Sequence, residues 1–549
     1  MKKTFTFIFL FLIVSVSHSQ IKLNLKASVS NELRYGSGYE YISTNKTPKE
    51  YFENLTNARL DVNDVIFGIR FEVSDPIEYG RDFKGIRKRY IEYKHKSGVS
   101  LRAGDFFDIV SRGLSLNVFE DRGLAYDTGI DGVRIIYKNN FGKKKPVKVK
   151  AQIIGGNLEY SDFLNPERIE NYKIRNVNLE ISPIKRLTFG TNYVNSKGEI
   201  PTGGVTTNIT ADIPEFYVDL NLPNFQFYSS YAHKHINTEP NTIFPVEISA
   251  DGDGFYSSAS YTYEGLGITL EYKNYRFDLT EPNNRSTDRP TKMLPFQNPP
   301  TAIKEHTATL ISRNPHVVDF NDEVGGQIDI FYVVSDKLSF ILNGAIASRH
   351  YEYEDSDTTS KIVYKRIDRD NSFIPSLDDA FSPFWEVYFE TEYYATEDFY
   401  TKFAFARQNG ILYNQIFPLA SEKLFTTTIP TEFRYSLNKE FTLKLIFEQQ
   451  WVHNSIRIDQ KSFMNQFVSL SLSKSPDLSI TFNSEFSNDE EEPTGKKSWF
   501  LGEVLYKINQ SNSVIVSYGS ERGGLRCTNG ICRFVNPFEG FRATVQTLF

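Results

Sequence analysis

Short stretches that alternate apolar and polar side chains recur along this chain, and they constrain its fold more than any other feature. One of them places Phe441, Leu443, Leu445 and Phe447 on one face and Thr442, Lys444, Ile446 and Glu448 on the other. A period of two is that of a β-strand whose two faces meet different environments. A β-sandwich would also alternate, but with shorter strands and connections of mixed length.

The connections between these stretches alternate in length. Tight turns are predicted at Ser182-Pro183, Leu222-Pro223-Asn224, Glu264-Gly265, Ser335-Asp336-Lys337, Thr396-Glu397-Asp398, Leu437-Asn438-Lys439, Lys474-Ser475-Pro476 and Asn509-Gln510-Ser511. Longer polar segments lie between them, at 198–212, 236–253, 279–323, 354–381, 412–422 and 489–495. Short turns at one end and long loops at the other are typical of a transmembrane β-barrel, whose aromatic girdles explain the 45 Phe and 32 Tyr.

We therefore predict an all-β fold, an antiparallel transmembrane β-barrel with long extracellular loops partly folded into its lumen. Counting strands backwards from Phe549 yields 22 from about residue 65 onward. One more strand is expected at 21–35 and another at 54–62, turning at Asn63-Asp64, which makes 24 the preferred number and 22 the alternative.

Both ends of the chain indicate export to the outer membrane of a Gram-negative cell. Residues 1–19 have the basic, apolar and small-residue regions of a signal peptide, so cleavage is expected before Gln20 and the barrel occupies 20–549. Phe541, Val545 and Phe549 share one face of the last strand, which is similar to the signal read by the barrel assembly machinery. The expected partners are outer-membrane lipid, that machinery during biogenesis, and components of an outer-membrane complex.

Two loops have a composition that a solvated connection does not need. Residues 104–132 mix charges with Leu, Phe and several glycines, and 299–327 combine charges with prolines. A loop folded into the lumen would need both kinds of residue. The candidate lumen-loop residues are Asp105, Arg112, Glu120, Asp121, Arg122 and Asp127 in the first loop, and His306, Arg313 and His316 in the second.

Three blocks of sequence resemble an uncharacterised outer-membrane β-barrel family of Bacteroidota. They read GDFFDIVSRGLSL followed by EDRGLAYD, then PPTAIKEHTATLISRNPHVVDFNDEVGGQ, and finally the terminal GSERGGLRCTNGICRFVNPFEGFRATVQTLF. The likeness runs from about Ala58 to Phe549. Because the family has no known function, the resemblance implies a location and a fold and no mechanism.

Charges of opposite sign are predicted on opposite walls of the lumen. The basic set comprises Lys88, Lys94, Lys96, Arg134, Lys138, Lys148 and Lys150, and the acidic set Glu386, Glu390 and Glu392. With 24 strands the two sets lie about half a circumference apart, as in a porin constriction with a transverse field. The alternative is that lumen residues are simply polar and that their charges cluster by chance.

Cys527 and Cys532 flank an Asn-Gly hairpin turn, so in an oxidising compartment we expect them to form a disulfide.

His233 and His235 share a strand face, where a solvated pair is favoured over a metal site because no third ligand is placed nearby. His306, Arg313 and His316 either line a binding site or pack their loop by hydrogen bonds. No metal or other cofactor is expected.

A net charge of −6 makes a nucleic-acid partner unexpected, and no nucleophile elbow, metalloprotease helix or phosphate loop indicates an enzyme. Two functions remain. The first is a passive or loop-gated channel for polar solutes. The second is a non-conducting barrel that acts as a scaffold or accessory subunit of an outer-membrane secretion or assembly complex.

Overall fold

A computed structural model describes residues 24–142, 146–161, 165–202, 204–242, 245–277, 294–355, 364–369, 371–412, 419, 421–528 and 531–549. The expected signal peptide and its cleavage point before Gln20 lie outside these residues. Among the helices described, none is long and apolar enough to cross a membrane.

Twenty-four antiparallel strands form one sheet, in agreement with the preferred count. They are β1 Leu25–Ile42, β2 Asn45–Val62, β3 Val65–Ser74, β4 Phe83–Lys94, β5 Val99–Phe106, β6 Ile130–Phe141, β7 Val147–Ser161, β8 Ile169–Ile184, β9 Leu187–Thr202, β10 Val205–Asn221, β11 Phe225–Thr238, β12 Ile248–Tyr263, β13 Leu266–Arg276, β14 Glu323–Ser335, β15 Leu338–Ser348, β16 Phe384–Tyr394, β17 Phe399–Leu412, β18 Glu422–Ser436, β19 Phe441–Asn454, β20 Ser462–Lys474, β21 Leu478–Ser487, β22 Ser498–Asn509, β23 Asn512–Glu521 and β24 Phe538–Leu548.

The sheet closes on itself, since β24 pairs with β23 on one side and with β1 on the other. Each strand pairs with its sequence neighbours, so closure leaves the wall without a long free edge. Val387 and Phe389 of β16 point outward, whereas Glu386 and Glu390 of the same strand are buried inside the lumen. The alternation of side chains thus separates an apolar outer surface from a largely polar inner one.

Tyrosines at the strand ends beside the short turns are exposed on the outer surface. They include Tyr93, Tyr263, Tyr332, Tyr394, Tyr435 and Tyr506. Amphipathic rings in this position suit the boundary between lipid tails and water. The predicted aromatic girdle is therefore present at the short-turn end.

Several predicted boundaries were wrong. The segment 198–212 is not a long loop, because β9 and β10 form a hairpin that continues through Thr202 and Val205. Ser182-Pro183 is not a turn either, since β8 reaches Ile184 through a register shift. The first two strands are longer than predicted and meet at 43–44.

Three segments enter the lumen from the long-loop end, as the predicted fold requires. Insert A is 107–129, insert B is the described segment 294–322, and insert C is 522–537, which contains the hairpin Gly524–Thr528 and Ile531–Val535. Inserts A and B share one apolar core with the inner face of β7–β13, which includes Leu114, Leu116, Phe296, Ile174 and Tyr256. This half of the inner wall is apolar because it is covered by protein rather than by water.

Candidate functional site: a lumen closed by three inserts

Insert A neutralises the basic side of the wall. Lys88 of β4 contacts Asp127 at 2.8 Å, and Arg134 of β6 contacts Asp108 at 3.0 Å. Arg70 of β3 binds Glu120 in the same way, at 2.7 Å. Burial raises the pKa of Asp127, but the positive charge of Lys88 outweighs this effect and holds that pKa below its usual value.

A short 3-10 turn at Arg122–Leu124 holds the centre of insert A against β2 and β3. Arg122 contacts Glu53 at 2.8 Å and Glu72 at 3.3 Å, and both carboxylates are buried. Asp121 accepts a hydrogen bond from the Leu124 backbone N–H and caps the turn. Because this guanidinium pairs with two buried carboxylates, the contact fixes the turn more firmly than an exposed ion pair would.

The other side of insert A rests on the wall of β9–β11. Ser111 and Ser115 donate hydrogen bonds to the buried carboxylate of Glu215 in β10. The guanidinium of Arg112 lies 4.6 Å from the ring centroid of Tyr228 in β11. Insert A is therefore anchored to both sides of the wall.

Insert B joins insert A before it crosses the lumen. The side chains of Asn117 and Asn298 each donate to the backbone carbonyl of the other residue, at 3.0 and 2.9 Å. At the start of β14, Lys273 and Glu323 form an ion pair of 2.5 Å, and His316 contacts the same carboxylate at 3.0 Å. All three side chains are fully buried, so the root of insert B contains no solvent-facing charge at this point.

The far end of insert B reaches the opposite wall by separate polar contacts. His306 contacts Glu386 of β16 at 2.6 Å, and Arg313 pairs with Glu485 of β21. The carboxylate of Glu448 in β19 accepts hydrogen bonds from the backbone N–H groups of Thr309 and Leu310, at 2.9 and 2.7 Å. Insert B is thus a bar across the lumen, supported at both ends.

Insert C carries the disulfide between Cys527 and Cys532, which confirms the predicted pair. The two residues face each other in the register of the hairpin, whereas Asn529 and Gly530 lie outside the described residues. The backbone carbonyls of Arg522 and Gly523 accept hydrogen bonds from Arg313, at 3.1 and 2.7 Å. Insert C therefore supports the far end of insert B.

Two cavities lie on either side of the Arg122–Leu124 turn. One has a volume of about 990 Å³ and is lined by Glu72, Arg122 and Asp127 among others. The second has a volume of about 550 Å³ and is lined by Leu124, His306 and Cys527 among others. The turn forms a partition between them, and both cavities are rich in charged and polar groups.

The opposed charge walls are present but are not bare. The basic strands β4, β6 and β7 and the acidic strand β16 lie nine to twelve strands apart in the order of the sheet. However, Lys150 pairs with Glu180 and Glu390 with Lys402, while Glu392 accepts a hydrogen bond from Tyr400. Neighbouring strands and inserts thus supply counter-charges that a single strand pattern does not reveal, and the transverse field itself stays a prediction.

Two predicted lumen residues lie elsewhere. Lys96 is in the turn after β4, beyond the end of the wall strand. Asp105 belongs to β5 and faces outward, where it accepts a hydrogen bond from the Arg89 backbone N–H at 2.6 Å. Asp105 faces outward because side chains alternate along β5 and the neighbouring Phe106 takes the inward position.

His233 and His235 lie on the outer face of β11 and contact Asp253 and Asp251 of β12, at 2.9 and 2.6 Å. Within the part of the chain that the structure describes, no group of three or more His, Cys, Asp or Glu is arranged to hold a metal ion.

The lumen is open to solvent below the inserts. Lys94, Lys138 and Lys148 lie near the short-turn end of the inner wall and are exposed. The inserts therefore close only the half of the lumen next to the long loops.

The sequence did not indicate Glu53, Glu72 and Glu448 as residues that hold the inserts. Alternation along their strands places them on inner faces, but their partners come from segments far away in the sequence.

A closed 24-stranded barrel with an apolar outer belt and a plugged polar lumen defines an outer-membrane β-barrel protein. The chain belongs to a family described as "Family of unknown function (DUF6029)", whose model matches residues 1–549.

One curated relative is "Outer membrane porin C 2" of Shigella flexneri serotype 5a, 25% identical over 221 residues. The match covers 36% of this chain and 58% of the porin, so the chain spans less than two thirds of that relative.

Among solved structures, the siderophore receptor PirA from Pseudomonas aeruginosa has a TM-score of 0.42 at 9% identity, covering 95% of this chain and 80% of the receptor. The FrpB iron transporter from Neisseria meningitidis (F5-1 variant) has a TM-score of 0.41 at 10% identity, covering 96% and 83%. These weak likenesses carry no argument about function.

Proposed function

We propose that this protein is an outer-membrane channel for polar solutes that is closed by its inserts and opens when an insert moves. The main support is that the Arg122–Leu124 turn lines two charged cavities, and that exposed lysines line the lower lumen beneath the inserts. A barrel built only as a scaffold has no need of polar cavities on both sides of a thin partition. The proposal includes cleavage of the chain before Gln20 and assigns it no enzymatic activity.

Insert B is the better candidate for the moving part. Insert B joins the large core at its two ends, through Phe296 and Ala302 and again through Val318 and Phe320. Between these ends its apolar support is small and consists mainly of Ile311 against Tyr388, Ala404 and Ala406. Its remaining contacts are hydrogen bonds and ion pairs, and movement of the insert lets water hydrate both partners of each contact instead of leaving one buried alone. Insert A, in contrast, shares the large apolar core with the wall.

Single-channel recording in planar bilayers tests this proposal. The full-length protein should show rare or small openings, and replacing 300–322 with a short Gly-Ser connection should produce large, steady conductance. A matched control replaces 456–460, an exposed loop that includes Ile458 at 88% exposure, and should behave like the parent protein. If the deletion is as silent as the control, the lumen does not conduct, and the scaffold function with partner proteins is favoured.

A further inference from the structure

Part of the long connection between β15 and β16 lies against the outside of the barrel wall. Tyr272 and Asn274 of β13 face outward, because the residues that alternate with them are buried inside the barrel. The Tyr272 hydroxyl donates to the backbone carbonyl of Phe373 at 2.7 Å, and the Asn274 side chain donates to that of Ser372 at 3.1 Å. The segment 371–377, which we call the outer strap, is therefore fixed to the outer face of the wall.

The outer strap crosses the wall where the strands reach the long-loop end. Val324 of β14 and Ser348 of β15 are in register with Asn274 and share its outward orientation, yet both are buried. Ser348 accepts a hydrogen bond from the backbone N–H of Ser376 at 2.9 Å. β15 has 11 residues and ends at Ser348. Because a tilted strand of about 9–11 residues crosses the hydrocarbon of a bilayer, the outer strap lies at the outer boundary of the membrane.

The outer strap presents three large apolar side chains to its surroundings. Phe373, Ile374 and Leu377 are 70%, 62% and 66% exposed. On the strands beneath the strap, Leu270 and Ile328 face outward and are part of the lipid-facing belt. The apolar surface of the strap thus continues the surface that lipid already covers. Lipid of the outer leaflet is therefore the partner that this position and this chemistry fit.

Two partly exposed arginines hold the outer strap. Arg276 donates to the Ser372 hydroxyl at 2.8 Å, and Arg369 donates to a backbone carbonyl of the strap at 2.7 Å. Within the described part of the chain, neither arginine forms an ion pair with a carboxylate. The Asp322 carboxylate, whose charge acts on Arg369, is already bound by His350 at 2.9 Å. Two guanidiniums therefore lie at the membrane boundary without an anion of their own.

We propose that the outer strap binds the phosphate-bearing glycolipid of the outer leaflet. The acyl chains pack against Phe373, Ile374 and Leu377, and a phosphate of the headgroup accepts N–H groups from Arg276 and Arg369. A guanidinium presents several donors in a geometry that matches a phosphate. The apolar and charged contacts come from one short stretch of chain, so both act on the same lipid molecule. This inference does not depend on whether the lumen conducts.

Fluorescence of a single label tests the apolar contact. Both native cysteines are in the disulfide, so Ile374→Cys can carry one environment-sensitive nitrobenzoxadiazole group. In vesicles that contain lipid A, its emission should shift to the blue, and doxyl-labelled lipid should quench it strongly. The matched control is Ile458→Cys, the same residue type in another loop at the long-loop end, 88% exposed. Its label should emit as in water and should hardly be quenched, and equal quenching of the two labels would overturn the proposal.

Native mass spectrometry of the full-length barrel in detergent tests the phosphate contact, with monophosphorylated lipid A as the probe and its dephosphorylated form as the comparison. Arg369→Gln should weaken binding of the phosphorylated form alone by about tenfold, as expected for the loss of a charge-assisted hydrogen bond. The control is Arg434→Gln at the short-turn end, where Arg434 pairs with Glu432. This control should change the binding of neither lipid.

A double variant separates the apolar surface from the charges. Phe373→Ser with Leu377→Ser removes two exposed side chains and leaves both arginines in place, so it should weaken binding of both lipids about tenfold or more, even if Arg369→Gln loosens the strap. Equal binding of the two lipids to the parent protein, equal losses in Arg369→Gln and Arg434→Gln, or unchanged binding by the double variant would each overturn the proposal.

Discussion

Inserts A and B enter the same lumen from the same end, but they are held in different ways. Insert A combines a large apolar core with several ion pairs along its length, including those of Arg122 and Asp127. Insert B shares that core only at its two ends, near Phe296 and near Phe320. The part between them depends on His306, Arg313 and the Glu448 carboxylate. Apolar burial is non-directional and cumulative, whereas isolated polar contacts can be exchanged for water one at a time. In the proposed channel, this difference makes insert A the fixed plug and insert B the moving part.

The largest effect is expected from Arg122→Ala. It removes a charged partner from Glu72 and from Glu53, whose side chains are each 3% exposed, and breaking a buried pair costs about 3–5 kcal/mol. Glu53 keeps its second partner, Arg34, at 3.4 Å. Thermal unfolding of the barrel in vesicles should show a clear loss of stability, and the two cavities should merge. Arg59→Ala is the control, because its pair with Asp61 is exposed and should contribute about 0–1 kcal/mol. Similar unfolding of the two variants would show that insert A is not held by this contact.

A smaller and local effect is expected from Glu448→Ala. The substitution leaves the N–H groups of Thr309 and Leu310 without their acceptor, at a cost of about 1–3 kcal/mol. Hydrogen exchange in 303–316 should accelerate by about tenfold or more, while exchange in insert A stays constant. The neighbouring Gln449→Ala should leave both inserts unchanged. Faster exchange of insert A to the same degree would contradict the independence of the two inserts.

The disulfide of insert C should have a still smaller effect. Closing so short a loop contributes about 2 kcal/mol by chain entropy. The double variant Cys527→Ser and Cys532→Ser should therefore assemble into the membrane, with faster proteolysis confined to 522–537. Failure of this variant to assemble would mean that the disulfide is required for the whole barrel.

The smallest effect concerns pH, and it separates the two inserts. The depressed pKa of Asp127 means that its contribution to the stability of insert A is complete above about pH 4 and is lost only below it. Burial lowers the pKa of His350, which contacts Asp322 at the root of insert B at 2.9 Å. A histidine whose pKa is lowered on folding stabilises the folded state fully above about pH 6.5. This stabilisation is lost as the pH falls below that value.

Hydrogen exchange, corrected for its intrinsic pH dependence, should therefore show that insert B loosens between pH 7 and pH 5 while insert A does not. A His350→Gln variant should remove most of this pH response. Equal loosening of the two inserts in that range would contradict the assignment.

The sequence was sufficient for the strand number, the inward loops and the disulfide, because each follows from local periodicity or a short motif. It was not sufficient at 198–212, because the exposed polar residues of β9 and β10 suggested a loop there. The side chains of Ile200, Thr207 and Ile209 nevertheless continue the inward-facing positions of the two strands. It also failed to show that Asp108 and Asp127 neutralise the basic wall. Such pairs join residues far apart in sequence, and no single strand pattern contains that information.

We expect the inserts to close the lumen above its solvent-exposed lower half, and thiol labelling tests this closure most directly. Lys148→Cys places a thiol on the inner wall below the inserts, and Val246→Cys places one on an exposed loop. A bulky membrane-impermeant maleimide added outside intact cells should label Val246→Cys rapidly and Lys148→Cys hardly at all. Replacing 300–322 with a Gly-Ser connection should make Lys148→Cys react at a rate near that of Val246→Cys. Rapid labelling of Lys148→Cys with all inserts in place would contradict the closed lumen.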